Sequence, residues 1–160
     1  MKYRRLNKEE LEPLNEEFLK YLMVAHITPE NWELLKTNEP NKCEHHLDVF
    51  SDLVFDKILS DIQFVERALP KRLEVYHFLS EYVLMYALEA KSNEDFSFDK
   101  TNLDKLPLKD FRLIEGKKQY QADKNIETFK ILQQEYASIS NGTLFKQLAL
   151  KVVEQKEQAK

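Results

Sequence analysis

Over the first sixty positions, apolar residues recur every three or four residues, the period that lays a single stripe along a helix. Leu11, Leu14, Phe18, Tyr21, Leu22 and Ala25 make the first such run. Asn7 followed by Glu10 marks its start as a capping box, where the cap oxygen and the later glutamate serve free backbone N–H groups. Pro13 opposes the carbonyl four residues earlier, so a kink is expected there, or a regular helix that begins near Glu12. Thr28-Pro29-Glu30 predicts a second, short helix, with a threonine cap, proline at the first helical position, and Trp32 and Leu35 as its apolar residues. A third helix is expected from about Pro40 to Ser60, which makes residues 7–60 helical.

Beyond Ile62 the pattern changes. Residues 73–79 (LEVYHFL) and 82–88 (YVLMYAL) are rich in β-branched and aromatic side chains and are separated by a short joint, which predicts an antiparallel hairpin over 73–88. The joint lacks the favoured Asn-Gly or Asp-Gly. A continuous helix from Leu73 to Ala90 is the alternative, because Leu, Met, Ala and Glu are good helix formers. Residues 62–90 therefore read as β-rich and 91–106 as a polar loop, and Phe111 and Leu113 suggest a further strand within 107–120. Asp123 opens a helix carrying Ile126, Phe129, Leu132 and Tyr136; residues 140–143 (SNGT) break it and cap another, so 123–156 read as helical. The expected architecture is one α+β domain over residues 1–160: an N-terminal three-helix segment, a small antiparallel sheet and two C-terminal helices.

Composition narrows the function classes. The chain has 160 residues, 42% hydrophobic and 32% charged, in the range of a globular domain with a core. The longest nearly apolar run, residues 82–88, is too short to cross a bilayer, and no apolar stretch of the secretory kind follows the basic start. With a single cysteine, no internal disulfide is available, and the expected compartment is the cytosol. The net charge of −4 is spread without a basic stripe, which disfavours nucleic acid as a partner. Only two glycines are present, Gly116 and Gly142, so a phosphate-cradling loop, a dinucleotide fingerprint and a nucleophile elbow are all excluded.

Candidate chemistry concentrates in residues 42–48 (KCEHHLD). Cys43 and His46 lie three apart and share a helix face, the spacing of two metal ligands or of a nucleophile beside its base. His45 points to another face, and no second ligand pair accompanies them. The competing assignment places Cys43 with Leu47, Phe50, Val54 and Ile58 in the buried stripe of the helix. His77 shares a strand face with Val75 and Leu79 and reads as a half-buried core histidine. Glu66 and Arg67, with Lys71 and Arg72 beyond Pro70, read as a charged turn between the helical and β-rich parts. Such a turn suits an anionic partner, or else solvated charges that discourage edge pairing.

The opening Lys2-Tyr3-Arg4-Arg5-Leu6 with Glu9-Glu10-Leu11, the Phe50-Ser51-Asp52 and Val54-Phe55 steps, Phe64-Val65-Glu66 with Pro70-Lys71, and the closing Ile139-Ser140, Gly142 and Leu144-Phe145 occur in that order along nearly the whole chain. In this the chain resembles an uncharacterised family of small bacterial proteins, a domain of unknown function. The family pattern has a histidine and an arginine after the glutamate where this chain carries Arg67 and Ala68, which argues against catalysis at those positions. The resemblance implies a cytosolic bacterial protein and carries no activity, cofactor or partner. It also singles out Tyr3, Arg4 and Arg5 as a docking arm, folded back or offered to a partner, with a disordered terminus as the alternative.

The expected function class is thus a non-enzymatic protein-interaction or scaffold domain of the bacterial cytosol. Its partner would be another protein or a second copy, and no cofactor, membrane or particular small molecule is called for. One alternative is a small metal-dependent protein or enzyme using Cys43 and His46. The other is an RNA- or ribosome-associated accessory factor using residues 2–5 with Lys71 and Arg72.

Overall fold

The computed structural model describes residues 1–93, 103 and 106–159. The chain divides into two compact units, Met1–Ile58 and Leu59–Lys160. In the first, the capping box forms as expected: Asn7 Oδ1 accepts from Glu10 N–H, and Glu10 returns the bond to Asn7 N–H. The helix it starts, α1 (Lys8–Leu11), lasts one turn. Pro13 then forces a 3-10 turn over Glu12–Leu14 before α2 (Asn15–Val24) resumes, so the proline breaks the helix where a kink was expected. Helix α2 ends on His26 in the left-handed region (φ 61°), while Ile27 N–H reaches back to the Leu22 carbonyl at 2.8 Å. Thr28 caps α3 (Pro29–Asn38), and α4 (Pro40–Asp61) follows and runs on into the second unit.

The core of the helical unit is Leu22, Trp32 and Cys43, with Phe18, Tyr21, Ile27 and Leu35 packed against it. The expected stripe of α4 holds at Cys43 and Phe50, which are buried, but Ile58 is half exposed and Ser51 is fully buried instead. The reason is that α4 has a second occupied face, described below.

The second unit is built on a sheet of β1 (Phe64–Leu69), β2 (Arg72–Phe78), β3 (Tyr82–Ala90), β4 (Phe111–Gln119) and β5 (Ala137–Ser140), interleaved with α5 (Lys124–Leu132) and α6 (Thr143–Gln158). Every pairing is antiparallel and the order is β4-β3-β2-β1-β5. Residues 73–88 form the expected hairpin rather than a helix, with Leu73 opposite Leu88 and Phe78 opposite Val83. The sheet is larger than that hairpin, having five strands among the described residues.

Strand β1 falls in the stretch read as β-rich but holds the charged pair expected in a turn, and β5 falls in a stretch expected to be helical. Glu66 and Arg67 lie inside β1, not in a turn; Glu66 pairs with Val75 and Arg67 with Glu74, and only Pro70 and Lys71 make the turn. The helix expected to reach Tyr136 stops at Leu132. Tyr136 takes a positive φ of 64°, which swings the chain back so that the four residues of β5 pair with β1.

On one sheet face, Leu73, Val75 and Leu88 pack with Leu144, Phe145 and Leu148 of α6. Leu103, within the stretch expected to be a polar loop, is buried in that same cluster; residues 94–102, 104 and 105 of that stretch lie outside the described residues. Lys124 at the start of α5 caps the end of α4: its ammonium donates to the carbonyls of Leu59, Ser60 and Ile62 at 3.4, 3.1 and 2.9 Å.

The step from β5 into α6 depends on one glycine. Gly142 has φ 88°, and a Cβ there would lie 2.6–2.8 Å from the Phe64 ring. That ring in turn stacks on His77 at 4.3 Å and tilts against Phe145 at 5.6 Å. Gly142→Ala is therefore expected to destabilise the protein by on the order of 3 kcal/mol, from left-handed backbone strain and overlap with the ring. Chemical denaturation checks this. Adding Phe64→Leu should recover part of the loss measured against the Phe64→Leu single variant, and an undiminished penalty would show that the ring is not the obstacle.

Candidate functional site

The clearest site is a groove in the helical unit. It has a volume of about 770 Å³, with Phe18, Leu22, Trp32 and Leu47 among its apolar lining and Leu11 and Leu19 beside them. Charges of both signs frame it: Lys8 and Glu12 come from the first turns, and Glu33 and Lys36 from α3. Leu19 is 43% exposed, and Met23, one turn further along α2, is 71% exposed. Phe18 meets Trp32 edge-on at 5.2 Å and Phe50 at 5.1 Å, so the floor is a fixed aromatic cluster.

Arg5 and Leu6 of the N-terminal arm also line this groove. The arm lies along the second face of α4, on residues spaced as a helical stripe: Asp48, Ser51, Asp52, Phe55 and Asp56. Asp52 accepts from the backbone N–H of Lys2 at 2.8 Å and of Tyr3 at 3.2 Å. The Tyr3 hydroxyl donates to Asp56, and Lys2 pairs with the same carboxylate. Arg5 pairs with Asp48 at 2.6 Å, and Leu6 N–H donates to Ser51 Oγ at 3.0 Å. The Ser51 hydroxyl in turn donates a hydrogen bond to the Leu47 carbonyl, which satisfies a fully buried group. Arg4 lies over the Phe55 ring at 5.0 Å and grips Glu10 with two nitrogens, at 2.8 and 2.9 Å. The arm is folded onto its own unit.

Cys43 and His46 share a face of α4, as their spacing requires, and both adjoin Trp32. Cys43 packs with Leu22 and Trp32, and burial pushes its thiol pKa up, away from a reactive thiolate. His46 Nδ1 shares a hydrogen bond of 2.8 Å with the Tyr21 hydroxyl, and its ring meets Trp32 edge-on. Burial, then the neighbouring His45, lowers the His46 pKa and favours the neutral imidazole. Among the described residues no group of three or more His, Cys, Asp or Glu side chains is arranged to hold a metal ion.

The cationic residues around Pro70 form a network across the sheet. Glu74, 7% exposed, takes Arg67 on one carboxylate oxygen and Arg72 on the other, and Arg72 also pairs with Glu89 at 2.8 Å. Tyr76 donates its hydroxyl to Glu74 at 3.0 Å, and burial together with the Glu74 charge pushes the Tyr76 pKa up to about 12. Arg67 also donates to the Glu135 carbonyl. Glu66 points to the opposite sheet face from Arg67, and Lys71 is exposed in the turn. The apolar groove residue missed from sequence is Leu19, which lies one turn before the exposed Met23. Their four-residue spacing is a second apolar stripe on α2, legible beside the first.

Glu10 serves both the capping box and Arg4, and its pKa is lowered to about 2, first by the Arg4 hydrogen bonds and then by the Asn7 N–H. A depressed carboxyl pKa stabilises the fold above the ordinary carboxyl range, and that contribution is lost as pH falls from about 4.5 through about 2. NMR titration of the Glu10 side chain should give a midpoint near the lower value, and Arg4→Gln should return it most of the way to normal. An ordinary midpoint in the unaltered protein would mean that the arm is not seated on α1.

Among the described residues no helix is long and apolar enough to cross a membrane. No curated protein and no solved structure matches the chain. A family model does match, over residues 1–153, and its description is a family of unknown function, DUF6495. That span takes in the arm, its seat on α4, the groove and the whole sheet, and the chain belongs to this family of unknown function.

Proposed function

We propose that the protein is a cytosolic, non-enzymatic interaction module whose helical unit receives an amphipathic helix of a partner protein. The observation that carries this is the groove with Trp32 in its lining and Leu19 at its edge. An apolar trough of about 770 Å³ that leaves Leu19 in water has an unfavourable surface to cover. Its geometry suits a helix: the ten residues of α3 span about 15 Å, room for two turns of a partner with apolar anchors at helical spacing. The frame suits one as well. Lys8 with Glu12 and Lys36 with Glu33 place opposite signs on either side, which complements a helix whose apolar stripe is flanked by both charges. The single cysteine, free and buried, suits a reducing compartment.

A photo-crosslinking amino acid in place of Leu19, with a control in place of the exposed Leu150 of α6, tests this in the native cell. A discrete adduct with one other protein is expected from the groove position alone. A synthetic peptide of the crosslinked segment should be helical when bound, and Leu19→Glu should weaken it by about tenfold or more. Equal crosslinking from both positions, an adduct of two copies of this chain, or peptide binding indifferent to Leu19→Glu would each overturn the proposal.

A further inference from the structure

On the sheet face opposite α6, a second and smaller pocket is bordered by β2, β3, β4 and α5. Its volume is about 260 Å³, and Phe78, Val83, Met85 and Ile131 give it an apolar lining. Tyr76 adds a second aromatic wall, its ring stacked with Phe78 at 6.3 Å and 21°. One acid lines this apolar space. Glu127 of α5 is 6% exposed; its Oε2 meets the Lys118 ammonium at 3.4 Å, and its Oε1 has no hydrogen-bond donor among the described residues. Buried polar oxygens are almost always paired, and an orphan in an apolar surround is costly. The nearby Tyr120 hydroxyl does not serve it, since it donates to the carbonyls of Leu79 and Tyr82.

We infer that this pocket is a binding site for a small neutral molecule with an apolar, preferably aromatic, body and one O–H or N–H donor directed at Glu127 Oε1. The apolar walls and the buried carboxylate together exclude an anion. A cation would have to sit beside the Lys118 ammonium already held by Oε2, like charge against like. A neutral donor satisfies the orphan oxygen at no such cost, and the rings of Tyr76 and Phe78 offer its body an aromatic surface. Met85 faces Gly116 across the strand pair, both line the pocket, and a Cβ added at the glycine would meet the end of the Met85 side chain at 3.4 Å. The site lies wholly in the second unit and does not depend on the helical groove.

Phenol is the probe, and anisole, its methyl ether without the donor, is the control. Amide shifts in two-dimensional NMR should saturate with phenol and centre on Met85, Gly116 and Ile131, and anisole should bind about tenfold more weakly. Gly116→Val should abolish both while the protein stays folded: the strand accepts a β-branched residue, and an added Cβ meets only the flexible end of Met85 at 3.4 Å. Glu127→Leu should make phenol and anisole equal, with no loss of stability, because it removes an unpaired buried oxygen. No saturable shifts up to the solubility of phenol, equal binding of both probes to the unaltered protein, or binding that survives Gly116→Val would overturn the inference.

Discussion

Helix α4 is used on two faces at once, and the helical unit is organised by that constraint. One stripe carries Cys43, His46 and Phe50 into the aromatic cluster with Phe18, Tyr21 and Trp32. The other carries Asp48, Ser51, Asp52 and Asp56, whose oxygens receive the N-terminal arm almost residue by residue. Neither stripe alone sets the shape of the groove. Trp32 lines it and is packed with the first stripe, while Arg5 and Leu6 line it and are held by the second. The seat of the arm and the lining of the groove therefore share residues.

The sheet has its own internal constraint, a carboxylate placed between two guanidinium groups. Glu74 is buried, and burying it is tolerable only because Arg67, Arg72 and Tyr76 all direct donors at it. This network ties β1 to β2, and through Arg72 and Glu89 it ties β2 to β3. Charges that look suited to a partner along the sequence are engaged inside the unit. The helical groove and the Glu127 pocket, which have apolar linings, are elsewhere.

What was legible in the sequence follows from periodicity and caps. The capping box at Asn7, the threonine cap at Thr28, the hairpin over 73–88 and the Asp123 and Gly142 boundaries all form. What was not legible has a physical reason in each case. Glu66 and Arg67 read as a turn because they interrupt the apolar alternation of β1, and the partner that neutralises Arg67 sits on the next strand. Strand β5 has four residues, too few to show a period, and it is set by the left-handed turn at Tyr136. The family resemblance rested partly on residues 2–6 and on Phe50-Ser51-Asp52 with Phe55, far apart in sequence; folding brings them into one contact, which no local pattern could reveal. The histidines of residues 42–48, the most chemical-looking stretch of the chain, resolve differently: His46 is bonded to Tyr21 inside the aromatic cluster, while His45 is exposed.

The N-terminal arm is a fixed strap of the helical unit and not a free tail. Amide hydrogen exchange at Lys2, Tyr3 and Leu6 tests this most directly, because each of these N–H groups donates to a side chain of α4. Exchange clearly slower than in the free peptide is expected at all three. Asp52→Ala should release Lys2 and Tyr3 and leave Leu6, held by Ser51, protected. Free-peptide exchange at all three amides in the unaltered protein would contradict this seating.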